Sequence, residues 1–91
     1  MMPDSLNWQI IEEPLFTEQI DKFRADWKRL DAALMTLHPA LLKSPQLYPF
    51  VPGTKLQRLK IVGFPGVPPL TIFFTIDGDK ILIKSAELID L

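Results

Sequence analysis

Lys55, Arg58 and Lys60 form the one cluster in this chain whose residue types and spacing suggest chemistry. Side chains two apart in an extended segment project from the same face, so Arg58 and Lys60 should stand side by side. Lys80 and Lys84, on a later segment of the same alternating kind, are expected to join them. Four such groups, Lys55, Arg58, Lys60 and Lys84, are candidate contacts for a phosphate or an acidic partner. Basic residues also commonly decorate half-exposed strands for solubility alone, so the cluster has a purely structural reading beside the functional one.

Other reactive types are sparse. His38 is the single imidazole and lies between Leu37 and Pro39, at the expected end of a helix, where a cation-capable side chain favours the local dipole. Ser5, Ser44 and Ser85 have no nucleophile-elbow sequence around them. Gly63-Phe64-Pro65-Gly66 has neither the spacing nor the lysine-serine pair of a phosphate loop. Glu12-Glu13 and Asp77 with Asp79 read as strand-end and turn carboxylates rather than metal ligands. The chain has no cysteine, which excludes a disulfide, a thiolate metal centre and a cysteine nucleophile. No catalytic set, metal or cofactor is therefore assigned. Three aromatics are candidate partner contacts: Tyr48 and Phe50 within the proline-rich residues 44–53, and Phe73. Rigid apolar rings are favoured at interfaces; for Tyr48 and Phe50 the competing reading is that they close the core beneath a loop.

Composition bounds the setting. Ninety-one residues, 47% of them hydrophobic, suit one domain spanning residues 1–91. Ten basic and eleven acidic side chains give a net charge of −1, which argues against an overall electrostatic grip on nucleic acid. No apolar run reaches the ~20 residues that span a bilayer, and the acidic, charge-mixed start does not read as a signal peptide. A cytoplasmic protein without membrane contact is expected.

The elements that must position these residues follow from periodicity. Residues 7–12 read as a strand ended by Pro14, with Trp8 and Ile10 on one face and Ile11 on the other, suggesting cover on both sides. Thr17 is the expected N-cap of a helix. Its stripe, Ile20, Phe23, Trp27, Leu30, Leu34 and Leu37, recurs at helical period, and favours one long rod over two pieces broken near Asp31. His38-Pro39 should stop it, with a short helical turn at residues 40–43. Seven of the nine prolines fall between Pro39 and Pro69, marking a loop-rich middle. Residues 55–62, 70–76 and 80–85 alternate as strands, with Leu59, Ile61, Ile72, Phe74, Ile81 and Ile83 inward. Asp77-Gly78-Asp79 joins the last two. Residues 87–91 form a helical or frayed tail. The predicted class is α+β: an N-terminal strand, a long helix or helical hairpin, then a three-strand antiparallel meander in one sheet packed by the helical layer.

This order, with residues 56–62 (Leu-Gln-Arg-Leu-Lys-Ile-Val) followed by residues 70–77 (Leu-Thr-Ile-Phe-Phe-Thr-Ile-Asp), resembles the RelE/ParE superfamily of bacterial toxin–antitoxin pairs. The likeness spans residues 8–90 and is one of pattern. It implies an antitoxin-like protein or peptide as partner, and the ribosome with its messenger RNA, or DNA gyrase, as target; a homodimer is left open. Members that cleave messenger RNA activate a ribose 2′-OH and protonate a leaving oxygen with several basic groups and often a tyrosine or histidine. Arg58 and Lys60 match the basic strand, but the arginine expected early in the next strand falls on Thr71. Residues 85–91 offer only Glu87 and Asp90. The resemblance thus implies a toxin-family protein without the usual ribonuclease set. The alternative is a non-enzymatic interaction module on the same scaffold.

Overall fold

Three alternating segments in the second half pair in sequence order, and the first strand joins them from the far side. The computed structural model describes residues 8–88. Strands β1 (Gln9–Glu12), β2 (Gln57–Ile61), β3 (Leu70–Asp77) and β4 (Lys80–Leu88) form one sheet in the order β1-β4-β3-β2. β2 with β3 and β3 with β4 are antiparallel, whereas β1 lies parallel to β4, so the sheet is mixed and four-stranded. Between β1 and β2 run three helices, α1 (Pro14–Asp26), α2 (Leu30–Leu34) and α3 (Leu37–Lys43), and a single 3-10 turn at Pro45–Leu47. The architecture is α+β, with helices on one face of the sheet.

The core is where the two periodicities meet. Leu59, Ile61, Ile72, Phe74, Ile81 and Ile83 are buried on the helix side, as their alternation requires. Against them lie Phe16 and Ile20 of α1, Leu30 and Ala33 of α2, and Leu37 and Leu41 of α3. Phe23, Trp27 and Leu34 are partly buried at the margin, and Trp27 meets Phe23 edge to face with ring centroids 6.1 Å apart.

The long rod is corrected: the apolar stripe is shared among three helices. Trp27 leaves helical geometry at φ −129°, ψ 102° and ends α1. The expected rod over residues 17–37 would run about 32 Å, close to the ~30 Å of nine-residue β4, so length alone does not force the break. Arg24 bridges the first break, donating to Asp31 at 2.8 Å and to Asp21 at 3.1 Å. The bond to Asp31 holds its guanidinium above the usual range.

Both expected helix boundaries move. α1 starts at Pro14 with Glu13 as its N-cap, and Thr17 lies one turn inside, its hydroxyl donating to the Glu13 carbonyl at 3.3 Å. Proline at the first helical position is pre-organised and has no N–H to leave unpaired. His38-Pro39 opens α3 instead of closing a helix, because N–H groups of a first turn need no intrahelical acceptor. β4 continues to Leu88, replacing a helical start to the tail at Glu87; residues 89–91, like Asn7 at the other end, lie outside the described residues. Ile11 is 40% exposed, so β1 is an open edge strand and is not covered on both sides.

Two features of the sheet matter below. The pairing slips between Phe73 and Phe74, which face Ser85 and Ile83, leaving Lys84 without a partner as a bulge. Gln57 is buried at 2% exposure, and its Nε2 donates to the carbonyls of Pro45 and Tyr48, both at 2.9 Å.

Phe74 is fully buried at the sheet centre, and Phe74→Ala is expected to lower unfolding free energy by about 3–5 kcal/mol, read by equilibrium denaturation. Gln57→Met keeps the volume but strands the Tyr48 carbonyl and leaves Pro45's with only the long 3.5 Å bond from Tyr48 N–H; the same measurement should show a loss of about 1–3 kcal/mol. An unchanged Gln57→Met midpoint would show that the loop is held by other means.

Candidate functional site: a basic edge of the sheet

Backbone direction decides where the basic residues stand. The Arg58 N–H donates outward to the Pro49 carbonyl at 3.0 Å, and the Leu56 carbonyl accepts outward from Val51 at 2.8 Å. Even-numbered residues of β2 therefore turn their backbone polar groups away from β3. Arg58 opposite Phe73 and Lys60 opposite Thr71 are then pairs without mutual hydrogen bonds, the kind in which side chains approach most closely. Continuing across β3, Phe73 faces Ser85 and Thr71 faces Glu87. Two rows cross the face away from the helices: Arg58–Phe73–Ser85 and Lys60–Thr71–Glu87.

No element covers this face among the described residues, yet Thr71 is only 8% exposed and Phe73 is half-buried. Their neighbours across the ladder are Arg58 and Lys60, long side chains whose aliphatic stems shield apolar surface while their heads stay in water. Neither cation has an ion-pair partner among the described residues. Thr71, the position where an arginine was expected by resemblance, sits between a cation and a carboxylate.

The other two basic candidates do not join them. Lys84 occupies the bulge of β4, and its Nζ donates to Glu13 Oε2 at 2.9 Å. That pair ties β4 to the N-cap of α1. Lys55 lies before β2 and lines a hollow of about 380 Å³ with Gln46, Phe50, Gln57 and Ile76, on the side from which Gln57 enters the core. Lys80 faces Asp77 across the last turn, where positive φ is confined to Gly78 at 63°.

The aromatic candidates divide similarly. Tyr48 is half-buried, edge to face on Phe74 at 5.9 Å, with its hydroxyl donating to the Ala40 carbonyl at 3.3 Å. It closes the core between the loop and α3. Phe50 pairs with Gln57 as an isolated bridge and is 55% exposed. Phe73 stands on the opposite face, beside Arg58.

His38 is remote from the basic rows. Its Nε2 lies 3.1 Å from Glu12 Oε2, beside β1 at one edge of the sheet, while Arg58 and Lys60 are on β2 at the other. Three strand spacings separate those edges, about 14 Å. Among the described residues no three His, Cys, Asp or Glu side chains gather as a metal site. Two cations beside an aromatic ring can attract an anion, and the one carboxylate in their rows, Glu87, stands two strands away from Lys60.

Sequence reasoning missed Gln57, Glu13 and Gln19. Gln19 of α1 accepts from the Ala86 backbone N–H at 2.8 Å, where β4 has run past the end of β1. The alternation placed Gln57 on the inward face, which was the available signal; its carbonyl partners come from a loop that alternation does not describe. No helix of the described residues is long and apolar enough to cross a membrane. No family model matches the sequence, and searches of curated proteins and of solved structures likewise give no match.

Proposed function

We propose that this chain is a protein-interaction domain on a RelE/ParE-like scaffold, the toxin-family half of a toxin–antitoxin pair, and that it acts by binding rather than by cutting RNA. The order of elements (a strand, a helical layer, three further strands) supports the scaffold. The dispersal of the basic candidates carries the choice of binding over cleavage. Cleavage beside a 2′-OH requires a base, an acid and phosphate-stabilising groups converging on one spot, each typically worth a hundredfold or more. Here Arg58 and Lys60 share a face, Lys84 is engaged by Glu13, and the imidazole stands at the far edge of the sheet. Lysine and arginine heads remain protonated in water near neutral pH, which suits them to attract acidic groups. A module that binds but is not toxic has the same support from the Lys84–Glu13 pair.

Induced expression in a bacterial host, with RNA ends mapped in a translating extract, tests this reading. Growth should slow without codon-positioned cuts; an accompanying DNA-damage response would direct attention to gyrase, and unimpaired growth would favour the non-toxic module. Codon-positioned cleavage that disappears in Arg58→Ala/Lys60→Ala would overturn the binding mechanism.

A further inference from the structure

β2 is an edge strand with only half of its outer side covered. Pro49 and Val51 bond to its first half, through Arg58 and Leu56, and Phe50 bridges Gln57 there. The chain before Pro49 does not continue along the strand. It turns away into Pro45–Leu47, held by the Gln57 amide, and sends Tyr48 into the core. Beside Lys60 and Val62 the next strand position is therefore empty among the described residues. By the alternation that directs Arg58 outward, the N–H and C=O of Lys60 face that opening, and Val62 follows directly after the strand's last residue, Ile61.

A hollow of about 290 Å³ runs along the same stretch, bounded by Leu59 and Ile61 on the strand, Val62 just past it, and Thr36, Ala40 and Tyr48 on the helix side. On the other face of the sheet stand the side chains of Arg58 and Lys60, exposed and without an ion-pair partner among the described residues. A strand added here would send alternate side chains to two different environments, one an apolar hollow and the other a basic face.

We propose that the Lys60–Val62 edge of β2 is a strand-addition site for an extended, acidic polypeptide segment, with apolar residues entering the hollow and carboxylates alternating with them toward Arg58 and Lys60. Main-chain hydrogen bonds supply the grip and the two side-chain rows supply selectivity. The class of partner rests on the interaction reading above, whereas the location rests on the edge itself. β1, the opposite edge, is not equivalent: its flanking carboxylates are already engaged, Glu12 by His38 and Glu13 by Lys84. A lysine on an edge strand also serves as a guard against unwanted pairing, and the two roles of Lys60 give opposite results below.

The test is titration of the purified, isotope-labelled full chain with a short synthetic peptide alternating glutamate and valine, followed by amide shifts and amide exchange. Saturable shifts and slowed exchange are expected at Lys60 and Val62, with Ile10 and Glu12 of the β1 edge unchanged. Lys60→Glu should weaken binding roughly tenfold. Val62→Pro should abolish it, since an added strand that runs on past Ile61 needs the N–H that proline removes, while Ile61 before it is already extended. An alternating lysine–valine peptide should not bind. Several results would overturn the site: no protection at Lys60 and Val62, equal binding by the Val62→Pro chain, equal binding of the lysine peptide, or protection that appears with protein concentration alone, the mark of a second copy in the groove. A Lys60→Glu chain that binds no more weakly but aggregates would identify a guard instead. A host protein retained equally by wild type and both variants would move the interaction off this edge and leave the proposed function standing.

Discussion

A single buried amide holds the middle of this protein in place. The Gln57 side chain reaches from the edge strand into the core and donates to two loop carbonyls, and the Tyr48 carbonyl would otherwise be left unpaired at a cost of about 1–3 kcal/mol. That constraint fixes the residues around Pro45, and from them Tyr48 is directed onto Phe74 and toward the Ala40 carbonyl of α3. It also aligns Pro49 and Val51 against the start of β2 and turns the preceding chain away from its end. One hydrogen-bonding side chain thus links the loop, a helix and the sheet, and determines which part of the edge is covered.

The two faces of the sheet follow different rules. Toward the helices, packing is apolar and continuous, and Phe74 and Ile72 are fully buried. Away from them, shielding comes from long cationic side chains beside Phe73 and Thr71, with no covering element among the described residues. Such a face is well suited to contact and poorly suited to proton transfer. The charged contacts Glu13 with Lys84, Glu12 with His38 and Arg24 with Asp31 each join two elements of the scaffold.

Much of this was legible in the sequence where period alone decides the answer. The inward alternation of Leu59, Ile61, Ile72, Phe74, Ile81 and Ile83 appears as a buried layer because a one-residue slip would turn all of them to solvent. The helical stripe was equally clear in which residues face inward, but its continuity was not. Residues 26–31 contain neither glycine nor proline, so no local signal marks the break that Trp27 makes at φ −129°. Pro14 and Pro39 read as stops in the sequence and are first-turn residues in the fold, since proline is compatible with both roles and the neighbouring strand and helix decide between them. The Arg58–Lys60 pairing followed from spacing of two. Lys84 could not be assigned this way, because a bulge shifts parity and is set by the partner strand.

The position of β4 has a consequence for how the chain is made. It lies between β1 and β3, so the last strand supplies the inner partner of the first. During synthesis β1 emerges early and has no strand to join until residues around Lys80 to Ile83 follow it. Until then the helical layer can cover only the β2–β3 pair, and the apolar residues that meet Ile81 and Ile83 stay open. Such distant pairing slows folding and extends the time during which sticky surface is open to other molecules. Because β4 follows β3 in the chain, β1 gains its neighbour only after the antiparallel part of the sheet has been made.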